Sequence, residues 1–104
     1  MREVAERDWK VFRKKVPEWQ EAYMEKLIGE YIALLQDETK SAGKKFWELN
    51  DRIYVDENRP GVVLEMKRSR FYSNLVSLLR DHVIEKEDLE EFSDEVKEAV
   101  ELMM

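Results

Sequence analysis

Cysteine is absent from this 104-residue chain, histidine occurs once, and only three glycines and two prolines interrupt it. Without cysteine there are no disulfides, no thiolate metal sites and no cysteine nucleophile, and the chain suits a reducing compartment. A single histidine leaves little from which to build a Ser-His-Asp triad or the paired Glu-x-x-His elements of a bundle metal site. No phosphate-binding glycine loop is present. The longest apolar run, Tyr31 to Leu35, has five residues, far short of the roughly 20 that cross a bilayer. The first residues, MREVAERDWK, hold no apolar signal segment. The expectation is a cytoplasmic protein with no membrane span, no cofactor and no metal.

What the chain does have is charge and aromatic bulk. It is 43% apolar and 40% charged, with 11% aromatics and a net charge of −6. Few helix breakers among many charges favour long amphipathic helices. The aromatics supply enough burial to offset chain entropy, so disorder is disfavoured. The acidic balance disfavours non-specific nucleic-acid binding. The length fits one domain spanning residues 1–104.

Apolar residues recur at helical spacing in five segments. Met1, Ala5, Trp9, Phe12 and Val16 form one stripe over residues 2–16, and Pro17 is placed to open a second helix. That helix, over 17–38, carries Trp19, Tyr23, Leu27, Tyr31 and Leu34 on one face, while Ala22, Gly29 and Ala33 lie nearly opposite, either as a small-residue seam that invites a neighbouring backbone or with Gly29 exposed and without a role. A third, over 43–57, aims Phe46, Trp47, Leu49, Ile53 and Tyr54 inward. A fourth, over 60–83, carries Leu64, Phe71, Leu75, Leu78 and Leu79. Its rival is a hairpin of RIYV and VVLEM about Pro60-Gly61. Ser93 is a good N-cap for the last helix, whose seam is Val96, Ala99 and Met103. The fold class expected is all-α, a compact antiparallel helical bundle of four to five helices.

The segments WKVFRKKVPEWQEAYMEKLIGEYIALL and EDLEEFSDEVKEAV resemble a family of short, functionally uncharacterised all-α bacterial proteins. Some of its members are labelled "multidrug transporter" without a membrane span. The resemblance implies a helical fold over nearly the whole chain, and it carries no catalytic residue to transfer.

Three sites follow from this pattern. On a helix over 60–83, Arg68 projects almost to the centre of the apolar face. Asn50, Gln20, Glu30 and His82 fall on or beside inward faces too. Together they would form a buried polar network that fixes register, or a pocket in which Arg68 holds a carboxylate or phosphate. The second site is a basic surface of Lys10, Arg13, Lys14 and Lys15 with Lys67 and Arg70, the nucleic-acid alternative. The third is the end of the last helix, where Val96, Ala99, Met103 and Met104 form an adaptable interaction face. Ser69, Ser73 and Ser77 turn away from His82, so catalysis has no footing and no enzyme is expected. The reading preferred is a protein–protein interaction or regulatory module that binds another protein or itself, as in a homodimer.

Overall fold

The computed structural model of the chain describes residues 3–104, and it is all-helical. Four α-helices follow in order: α1 Glu6–Leu35, α2 Ala42–Asp56, α3 Phe71–Arg80 and α4 Asp94–Met103. Single 3-10 turns stand at Arg68–Arg70 and Lys86–Leu89. No strand occurs among the described residues, so the hairpin about Pro60 does not form.

The core occupies one end of the molecule. Trp9, Phe12 and Val16 of α1 pack with Phe71, Leu75, Leu78 and Leu79 of α3 and with Val96 and Val100 of α4. Phe71 is the hub, with Phe12 at 5.1 Å edge-on and Phe92 at 6.0 Å between ring centroids. Asp8 is buried beside them and accepts hydrogen bonds from the Ser93 backbone and hydroxyl at 2.8 and 2.7 Å. Ser93 in turn caps α4 as its sequence position predicts, its hydroxyl accepting from Val96 N–H. Met1, expected on the same stripe as Trp9, lies outside the described residues.

Two expected helices are one. α1 runs through Pro17 without a break. Interior proline removes one hydrogen bond and costs about 3 kcal/mol, but Phe12 and Val16 before it and Leu27 beyond it are all buried. Their burial outweighs the lost bond. The freed carbonyl belongs to Arg13, an exposed residue.

The fourth helix is shorter than expected, beginning at Phe71 and not at Pro60. Gly61 and the β-branched Val62 and Val63 are poor helix formers. The N–H groups of Val62 and Val63 both close on Arg59 O at 2.9 Å, and the chain then runs without regular secondary structure from Val63 to Lys67, where Lys67 N–H closes a tight turn on Glu65 O. Buried Asn74 holds that segment by donating to Glu65 O at 2.9 Å. Gly61 is buried against Tyr23, and a Cβ there would overlap the ring.

Two residues past the end of α3 stands His82, whose φ of 56° lies in the left-handed region. His82 N–H bonds Leu79 O and Val83 N–H bonds Leu78 O, the double closure usually made by a glycine.

Beyond the core, α1 and α2 continue as a two-helix arm. α2 folds back along α1, as Lys40–Glu48, Arg52–Glu30 and Tyr31–Asp56 contacts show. The molecule measures 52 × 23 × 22 Å with a radius of gyration of 16.8 Å, against about 13 Å for a compact chain of this size. Among the described residues no helix is long and apolar enough to cross a membrane.

Candidate interaction surface

The one buried residue of α2 is a carboxylate, Asp56. The loop before the helix explains its start: Asp37 accepts from Thr39 N–H and hydroxyl, and the Ser41 hydroxyl accepts from Lys44 N–H. At 100° per residue, Lys45, Glu48, Arg52 and Asp56, with Leu49 among them, turn toward α1. Phe46, Trp47, Asn50, Ile53 and Tyr54 share the other side, an arc of about 120°. Phe46, Trp47 and Tyr54 are 64%, 63% and 71% exposed. The expectation that these aromatics face inward is therefore corrected: the helix has its polar side in and its apolar side out.

A chain of ion pairs accounts for the inner side. Asp56 accepts from the Tyr31 hydroxyl at 2.6 Å and from Arg59 Nε at 2.9 Å, with Arg52 at 3.6 Å. Arg52 also reaches Glu30 at 2.7 Å and lies over the Tyr31 ring. Arg59 continues to Asp81 at 3.0 Å, so the network straps the arm to the end of α3. Burial pushes the Asp56 carboxyl up, but the Tyr31 hydroxyl, Arg59 and Arg52 together hold it below the ordinary range. Burial, with the Asp56 carboxylate beside it, pushes the Tyr31 hydroxyl up to about 12. Such a network fixes geometry more than it stabilises.

The arm's apolar surface is shared by both helices. Ile28, Ile32 and Leu35 of α1 are exposed. A shallow groove of about 220 Å³ joins Ile28 to Ile53, lined also by Met24, Leu27, Tyr31 and Val62. The wider groove on the opposite side, about 670 Å³, is lined mostly by charges. Its cations Lys40, Arg52 and Arg59 are already held by carboxylates.

The expected network around Arg68 does not assemble. Arg68 lies in a 3-10 turn and not on a helix face, and its exposed guanidinium pairs with Glu6 at 2.6 Å above the Trp9 ring. Glu30 takes Arg52 instead. Gln20 donates to Pro60 O at 3.1 Å, and Asn50 is exposed on α2. His82 is exposed, 3.5 Å from Glu85, because the left-handed turn swings it off the α3 face.

The basic surface is partly neutralised: Lys67 and Arg70 pair with Glu65, and Lys15 with Glu91, leaving Lys10, Arg13 and Lys14 exposed on α1. In α4, Val96 and Ala99 are buried core residues, because the seam packs on α3; Met103 and Met104 are exposed with Leu102. The Ala22, Gly29 and Ala33 seam meets no neighbour, since Gly29 has open space around it. No group of three or more potential metal ligands occurs among the described residues.

Comparison with protein-family models, with curated proteins and with solved structures finds no match for this chain.

Proposed function

We propose that this chain is a cytosolic helical interaction module, with no catalytic step of its own, whose docking element is the α1–α2 arm. One observation carries the reading: α2 buries a carboxylate and exposes three aromatics. A helix of a finished fold has the opposite polarity. Large exposed apolar patches mark interaction sites. The antiparallel bundle expected from the periodicity is, on this reading, completed at the arm by helices from a binding partner. The resemblance to short helical bacterial proteins is in keeping with a module of this kind.

Photo-crosslinking tests the reading in the cell that makes the protein. A photoreactive phenylalanine analogue replaces Trp47, and, as a control, Lys10 on the exposed side of α1. The expected result is a discrete covalent adduct from position 47, weak or absent from position 10. Absence of any adduct at 47, or equal smears from both positions, counts against the arm as a docking element.

A further inference from the structure

The geometry points to a second copy of this chain as the occupant of the arm. The two α2 helices lie antiparallel, outer face to outer face, about a twofold axis at Asn50, and each α1 closes one side. The inference rests on the docking role of the arm and names its partner.

Area comes first. Phe46, Trp47, Ile53 and Tyr54 of α2, with Ile28, Ile32 and Leu35 of α1, are all exposed. At roughly 200 Å² for a whole large side chain, they leave on the order of 700 Å² uncovered. A stable dimer of standard size buries about 800 Å² per partner. The arm alone nearly supplies that amount.

The order of residues along α2 is the second observation, since it complements itself when reversed about Asn50. Reversal sets Phe46 against Tyr54 and Trp47 against Ile53, pairs of matching bulk. Asn50 meets Asn50 on the axis. Its side chain has no hydrogen-bond partner in the chain among the described residues. A lone asparagine in an apolar seam fixes register and orientation by pairing with its counterpart.

Charge selects the direction. α2 opens on Lys44 and Lys45 and closes on Asp56 and Glu57. Neither Lys44 nor Glu57 is in an ion pair within the chain among the described residues. Antiparallel pairing brings Lys44 of one copy beside Glu57 of the other. Parallel pairing would align like charges and lose that complement.

The absence of cysteine makes the test direct, because one introduced thiol is the only thiol. Helix axes 8–10 Å apart, with Cα atoms about 2.3 Å from each axis, leave facing Cα atoms roughly 5 Å apart, within disulfide span. Asn50→Cys is therefore expected to link two chains under mild oxidation. Gly43→Cys lies on the same outer face in open space but seven residues off the axis. It stays unlinked in the antiparallel dimer and links in a parallel one. By sedimentation, the wild-type chain is expected at twice its 12.6 kDa mass at tens of micromolar. Phe46→Ser with Tyr54→Ser weakens the dimer by more than roughly 100-fold. Circular dichroism of that variant is expected to keep the helix content of the wild-type chain, so the loss of dimer is not a loss of fold.

A wild-type monomer at 100 µM, a dimer unmoved by the double substitution, or Gly43→Cys linking as readily as Asn50→Cys each overturns the inference. A monomer whose position-47 adduct is a different protein overturns self-pairing alone and leaves the arm as a docking element. A monomer with no adduct overturns both.

Discussion

Asp8 and Ser93, 85 residues apart, are joined by two hydrogen bonds: both carboxylate oxygens accept, one from the serine N–H at 2.8 Å and one from its hydroxyl at 2.7 Å. The contact closes the chain into a ring by tying the first turn of α1 to the start of α4. Hydrogen bonds to a charged acceptor are worth about 1.5–3 kcal/mol, and a buried donor left alone costs a similar amount. Asp8→Ala is therefore expected to lower unfolding free energy by about 2–3 kcal/mol in urea melts. Asp8→Asn recovers part of that, because its amide oxygen can still accept from one donor.

Gly61 and Tyr23 are in direct contact, and an added Cβ would overlap the base of the ring, which cannot swing aside freely. Overpacking of this kind costs about 1–3 kcal/mol. Gly61→Ala should lose that much in chemical melts. Adding Tyr23→Ala removes the ring that the added Cβ clashes with, so the double variant should lose less than the sum of the two single losses, which a double-mutant cycle measures.

His82 holds a left-handed conformation that glycine adopts without steric cost. His82 is also exposed, and its side chain is not needed by the core. His82→Gly is expected to raise stability by about 0.5–1 kcal/mol. A rise in melting temperature of a few degrees would register it.

The arm's ion-pair network sets two pH limits. The folded Asp56 carboxyl lies below its ordinary value, about 3.9 in an unfolded chain. Its contribution is full above that value and is lost as pH falls through the folded one, where the unfolded chain binds more protons. Tyr31 is the reverse: its folded hydroxyl is pushed up to about 12. Stability linked to it is full below about 10, the unfolded value, and is lost as pH rises toward the folded one. Ultraviolet titration should show a tyrosine ionising near pH 12, and Tyr31→Phe should abolish that component.

Local signals in the sequence carry part of this structure. Ser93 announces α4, and the spacing of Phe71, Leu75, Leu78 and Leu79 announces α3, because caps and periodicity act within a turn or two. Arg68 shows where such reasoning fails. Its inward aim depended on extending the α3 register back to Leu64, whereas Gly61, Val62 and Val63 stop the helix from forming there. α2 shows a subtler failure. The arc of Phe46, Trp47, Ile53 and Tyr54 is plain in the sequence, but periodicity gives an apolar face without saying whether the same chain covers it. The Asp8–Ser93 and Tyr31–Asp56 bonds leave no local trace, since an acidic residue near a helix start looks like any solvated one.

The 30-residue span of α1 makes it a common rod for two parts with different surroundings. Its Trp9–Val16 stretch is clamped in hydrocarbon, while its Ile28–Leu35 stretch rides in water. Force applied to the tip is thus carried to the root along one backbone.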